Sequence, residues 1–217
     1  MSETARPHTL RSVARPKQAR SAETLERLLD AAQAIIKERG GAELSIPEVV
    51  ARAGSSVGGF YARFKDKDEL VCALEERFVV DMRRLLDVVT DADRLRGLTL
   101  RQFVGPAIGR LVRLYRRNER LAAAFAAASA HNPGKHARTR AFRDEIVERV
   151  GALVLTRSAE IGHPDPERAV EFAIQMVLST MRAEAVFGPT RARGRALSEN
   201  EMVVELEHMF VRYLGIT

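Results

Sequence analysis

The chain has no tryptophan and a single cysteine, Cys72, in 217 residues. One cysteine excludes an intrachain disulfide and suits a reducing interior, so a cytoplasmic location is expected. No apolar run approaches the about 20 residues that a membrane span needs, and no signal peptide is expected at the start. The histidines are few and scattered: His8, His131, His136, His163 and His208. His131 and His136 flank a turn, but none of the five stands at metal-ligand spacing from a second ligand. Neither a nucleophile elbow nor a phosphate loop occurs, so an enzyme is not expected, nor a metal or other cofactor. Aromatic residues make up only 6%.

What is present is alanine, leucine, arginine and glutamate, with 46% hydrophobic and 29% charged residues. That composition supports a real core and points to an all-α protein. The net charge of +6 permits a polyanionic partner without requiring one. The charge is uneven. Residues 1–20 carry Arg6, Arg11, Arg15, Lys17 and Arg20 against Glu3 alone, whereas residues 21–67 balance seven basic groups with seven acidic ones. The basic tail, with Pro7 and Pro16, reads either as a solubilising leader or as an arm along DNA phosphates or in the minor groove. The arm is the favoured reading near Arg20.

Apolar residues at helical spacing place a first helix over 21–39, stopped by Gly40-Gly41. A second starts at Ser45, where Ser45 and Glu48 have the spacing of a capping box and Pro47 falls in the first turn. It ends near Gly54, and a third runs from Ser56 to about Phe64. Asp66 caps a long fourth helix. Further helices follow from Thr99, through an alanine-rich segment to His131, over 136–161, from Asp165 to about Phe187, and from Ser198 to about Leu214. No strand is expected.

Residues 44–70 carry the function. Two short helices joined by a tight turn read as a helix-turn-helix, whose second helix presses its first turn against base edges in the major groove. Gly58 and Gly59 each lower helix propensity by roughly 1 kcal/mol against alanine, so they need a reason. Close approach to DNA is one; tight packing of helix on helix is another. Tyr61 suits a phosphate with its hydroxyl while its ring packs on the domain, or is an ordinary half-buried tyrosine. Lys67, at a helix start where N–H groups point outward, suits a phosphate, or is a solvated lysine. Ser45 and Ser56 are caps first.

These residues resemble the DNA-binding domain of TetR/AcrR-type transcriptional regulators. The resemblance covers about 50 residues, Arg20 to Leu70, and rests on Glu38 and Gly40, Ser45-Ile46, Val49-Val50-Ala51, Ala53-Gly54, Ser56, Gly58, Phe60-Tyr61, Phe64, Lys67 and Leu70. Ser55 stands where valine is usual, Gly59 where threonine or serine is frequent, and Ala62 where histidine is common. Those departures shift readout toward thymine methyls, backbone amides and DNA shape. The resemblance implies DNA contacts from Arg20, Ser45, Ser56, Val57, Gly58, Gly59, Tyr61 and Lys67. It also implies a three-helix DNA-binding domain over 20–67, after an arm over 1–19, and a larger helical bundle over 68–217 for effector binding and dimerisation.

The implied protein is a ligand-responsive repressor that binds a palindromic operator as a homodimer. Its interface is expected from residues 136–161 and 165–187, where apolar positions cover more than one helix face. Phe103, Phe125, Phe142, Gln175 and Met176 are candidate effector contacts or else plain core, and their character suggests a small, largely apolar effector. The alternative is a sequence-nonspecific architectural DNA-binding protein, which would spread basic charge over a large face.

Overall fold

The computed structural model describes residues 19–91, 93, 95–131 and 137–216, the side chains of residues 19, 20, 130, 131, 137 and 138 excepted. The basic tail before residue 19, the Asn132-Pro133-Gly134 turn, His8 and His136 lie outside the described residues.

Helix α1 spans Ala19–Arg39. Its repeating Leu25, Leu28, Leu29, Ala32, Ile35 and Ile36 are all buried. Gly40 ends it at φ +92°, a conformation that a side chain would strain. After a 3-10 turn at Gly41–Glu43 come α2 (Ile46–Arg52), α3 (Val57–Tyr61) and α4 (Lys67–Val89). Gly54, at φ +57°, makes the sharp turn between α2 and α3. Leu44, Val49, Val50, Phe60, Phe64, Leu70 and Leu74 join the α1 stripe in one core.

The rest of the chain forms α5 (Leu100–Arg117), α6 (Glu119–His131), α7 (Ala137–Leu155), α8 (Pro166–Phe187) and α9 (Glu199–Leu214). A second core sits among α5, α8 and α9, around Phe103, Ile108, Val112, Val170, Ile174, Met181, Leu206 and Phe210. A smaller cluster, Val79, Met82, Leu86 and Phe142, joins α4 to α7. Helix α6 belongs to both halves: its Leu121 and Phe125 are buried in the N-terminal core, while the helix also packs on α8.

Caps at Ser56, Asp66, Thr99, Asp165 and Ser198 each accept from a backbone N–H of the first turn of their helices. Three expectations change. Ser45 has the extended backbone of an N-cap, but its side chain makes no capping bond. Glu48 is drawn away by the Arg39 guanidinium, with which it pairs, so the expected box does not close. Helix α7 stops at Leu155 rather than near 161, and a 3-10 turn at Ser158–Glu160 follows. Here Arg157 donates to the carbonyls of Leu95 and Leu98 at 2.8 and 3.0 Å, and Glu160 accepts from Leu100 N–H at 2.7 Å. The segment closes the loop before α5 instead of extending the helix. Finally, a short antiparallel hairpin exists, β1 (Arg191–Ala192) with β2 (Arg195–Ala196). Its two-residue turn has positive φ at Arg193 and Gly194, the backbone twist that tight hairpins require.

Candidate nucleic-acid interface

Helices α2 and α3 form a helix-turn-helix held against α1 by polar ties. Arg52 of α2 donates to Glu38 of α1 at 2.7 Å, and Arg39 pairs with Glu48. Both pairs are exposed, where solvent screens them, so they orient α2 more than they stabilise the fold. The Arg52 guanidinium holds the Glu38 carboxyl below the usual carboxylate range. Arg63, just beyond α3, donates to the Ser21 carbonyl and hydroxyl and to the Gly59 carbonyl, at 3.1, 2.8 and 2.7 Å. It pins the end of α3 to the start of α1. Nothing in the local pattern marks Arg63 for this, because its partner lies 42 residues away.

The outer face of α3 is small and uncommitted. Phe60 turns fully inward, and Val57, Gly58 and Tyr61, at positions i, i+1 and i+4, turn outward. Val57 and Tyr61 are about half exposed, at 52% and 55%. The Tyr61 ring stands edge-on to Phe60, with centroids 5.3 Å apart. A Cβ at Gly58 would meet only the Ser56 hydroxyl, at 3.9 Å, so helix-on-helix packing does not account for this glycine. Gly59 differs: a Cβ there would stand 2.8 Å from Ser55 Oγ and 3.2 Å from Ser56 Oγ. Its amide donates to Ser56 Oγ at 3.0 Å, so its missing side chain makes room for the cap of its own helix.

Ser45 is exposed, and its hydroxyl has no hydrogen bond among the described residues. Lys67 is exposed at the first position of α4, beside the Asp66 cap, which accepts from Glu69 N–H at 2.8 Å. Arg20 lies in the first turn of α1, its side chain outside the described ones.

The candidate effector residues separate. Phe103 lines a gap of about 100 Å³ among α4, α5, α7, α8 and α9 whose walls are entirely apolar. Phe125 and Phe142 line a different cavity, of about 350 Å³, between α4, α6, α7 and α8, with Tyr115 of α5 at one wall. Ligand cavities start near 300 Å³, so the second is the candidate and the first is a packing gap. A hollow of about 250 Å³ adjoins it and shares Tyr115, Ala122 and Ala185. Gln175 and Met176 line none of these. They are exposed on α8, whose inward face is Ile174, Val177, Leu178 and Met181. The larger cavity also carries charge that the sequence reading misses: Glu75 and the arginines 140, 143 and 182. Burial pushes the Tyr115 hydroxyl pKa up, Arg182 and Arg143 pull it back, and Glu75 adds to the rise. The hydroxyl therefore keeps its proton at neutral pH.

Exposed large hydrophobics in this half gather on α8, at Phe172, Met176, Val186 and Phe187, and on α9, at Val204 and Tyr213, with Val88 of α4 and Leu98 standing apart. Among the described residues of α7 there is none, because that helix turns its apolar side to α4 and α8. Of the two segments expected to build the interface, 165–187 carries exposed large apolar side chains, and α9 carries further ones beside it.

Residues 28–74 match the family model of bacterial regulatory proteins of the tetR family, and residues 99–214 match that of the tetracyclin repressor-like C-terminal domain. No curated protein matches the chain. Among solved structures, a regulatory protein of the tetR family from Rhodococcus RHA1 is similar, with TM-score 0.67, 15% identity and coverage of 89% of this chain and 98% of that one. A tetR-family transcriptional regulator from Streptomyces coelicolor gives TM-score 0.61 at 20% identity, covering 89% and 81%. Salmonella enterica GusR gives 0.64 at 18%, covering 92% and 100%. These likenesses carry the fold. The family models together span most of the chain: it belongs to the TetR family of DNA-binding transcriptional regulators.

Proposed function

We infer that this protein is a ligand-responsive repressor that binds a palindromic operator as a homodimer. The observation that carries the reading is the outer face of α3, where Gly58 has open space beside exposed Val57 and Tyr61. A helix stripped of bulk on an unpacked face suits close approach to base edges. Ser45, Tyr61 and Lys67 then take phosphates, while Ser56 and Gly59 set the start of α3. Val57 offers a methyl contact. Arg20 is placed by sequence to reach the backbone nearby.

Dimerisation runs through α8 and α9. Phe172, Met176 and Phe187 recur on one side of α8, and Tyr213 of α9 stacks beside Phe172 with centroids 5.6 Å apart. Large side chains left this exposed on two neighbouring helices suit a helical interface with a second copy. Residues 20–67 form the DNA-binding part and 68–217 the regulatory part, with α6 reaching both.

Release of DNA follows from the cavity's position. Phe125 lines it and is also buried in the N-terminal core. A ligand that fits only one arrangement of α4 and α6 shifts the population toward that arrangement, and with it the spacing of the two α3 helices. Selection from a pool of randomised duplexes tests the reading. A two-fold symmetric consensus is expected; a pool that stays random after repeated rounds points instead to architectural binding.

A further inference from the structure

The larger cavity is not suited to a purely apolar molecule. Its body is apolar, formed by Phe78, Met82, Phe125, Phe142, Ile146 and Leu178, but one side gathers cations from two helices. Arg143 of α7 has only the neutral Ser179 hydroxyl, at 3.0 Å, as its hydrogen-bond partner among the described residues. Arg182 of α8 has no hydrogen bond or ion pair among them. Arg140 adds a third cation, and the single carboxylate in the lining, Glu75, accepts from Thr139 Oγ1 at 2.8 Å. Arg143 and Arg182 thus line the cavity without a carboxylate partner among the described residues. Tyr115, whose ring packs edge-on to Phe78, presents a hydroxyl with no hydrogen bond among the described residues.

We propose that this cavity takes an amphipathic anion, a carboxylate on an apolar tail or ring system, with Arg143 and Arg182 receiving the carboxylate and Tyr115 donating to it. The proposal rests on the effector reading above and replaces the largely apolar effector expected from sequence. Its physical basis is that guanidinium–carboxylate hydrogen bonds are about twice as strong as neutral ones, and a partly enclosed cavity strengthens them further. The aromatic and aliphatic walls account for the tail by burying its surface. A neutral ligand of the same shape would leave both guanidiniums without a carboxylate partner.

Calorimetry on the full-length protein with decanoate, decanol and decylamine tests this, since the three probes share one tail and differ in charge. Decanoate is expected to bind at least about tenfold more tightly than either analogue. The Arg143→Gln, Arg182→Gln double variant is expected to erase that margin and leave decanol binding within about twofold of the original. Arg182→Lys retains part of the margin. Arg182 is exposed and Arg143 half-buried, so thermal unfolding of the variants is expected to stay close to that of the parent. Equal binding of the three probes, no binding of decanoate, or a carboxylate margin that survives the double variant would overturn the proposal. DNA release is read separately: decanoate bound with its margin intact but without release upholds the cavity's chemistry and counts against the repressor reading.

Discussion

At the scale of single residues, Gly58 and Gly59 divide the work that the sequence assigns to both. A Cβ at Gly58 meets only the Ser56 hydroxyl, at an ordinary 3.9 Å, so Gly58→Ala is expected to raise stability by about 0.4–1 kcal/mol through helix propensity and unfolded-chain entropy. The same methyl is expected to weaken operator binding, because it holds the α3 backbone off the bases. Chemical denaturation and operator titration together check this opposition; a variant that gains stability and keeps its affinity would return Gly58 to a purely structural role. Ser56→Ala removes the hydroxyl that caps α3 and is expected to lower stability by about 1 kcal/mol. Lys67→Ala is expected to weaken binding to all sequences alike and to reduce the salt dependence by about one counterion, measured as the slope of log affinity against log salt. Single-residue roles were legible where the chemistry is local. Ser56 and Asp66 cap as their spacing predicts. The Ser45–Glu48 box does not close: the Arg39 guanidinium, from another helix, takes the Glu48 carboxylate, and the Ser45 hydroxyl makes no capping bond. Arg63 escaped for the same reason: its partner Ser21 is near only after folding.

Elements were legible in type and less so in phase and connection. Helix α8 has apolar residues around most of its circumference, so periodicity alone cannot say that Ile174 and Leu178 turn inward while Gln175 and Met176 turn out. The hairpin Arg191–Ala196 has no β-branched residue and shows itself only through its positive-φ turn. It is tied to α9 by Glu201, which the Arg195 guanidinium, and then the Ser198 amide and hydroxyl, hold well below the usual carboxylate range. A depressed carboxyl adds stability above its unfolded pKa, about 4.3, and loses it only as pH falls through the folded value. The tie is therefore expected to persist through mild acid. Carbon-detected NMR titration of Glu201 checks it, and an ordinary glutamate midpoint would contradict it. The contact between the two halves is equally specific. Gly41 packs so closely on α6 that a Cβ would stand 2.7 Å from Ala124 Cβ, and Arg120 of α6 donates to the Lys37 carbonyl at 3.0 Å. Gly41→Ala is expected to lower stability by about 1–3 kcal/mol, as overpacking does, and to change the response of DNA binding to ligand. Thermal unfolding measures the first effect and ligand-dependent DNA release the second.

At the scale of the whole molecule, DNA binding and its control depend on parts that the chain brings together from a distance. The charged side of the cavity is illegible in sequence, because arginines 140, 143 and 182 come from two helices that only the fold brings side by side. The exposed apolar surface of α8 and α9 is expected to make the protein a dimer. Phe172→Asp with Phe187→Asp is expected to yield a folded monomer by light scattering, and operator affinity should fall with loss of the second half-site. We propose that α3 reads sequence through its small outer face. An anisotropy competition between the selected operator and excess random duplex, at moderate salt, tests it most directly. Random DNA is expected to compete about a thousandfold less well for the parent protein, and Gly58→Ala is expected to narrow that ratio. Equal competition by random DNA for the parent protein would contradict it.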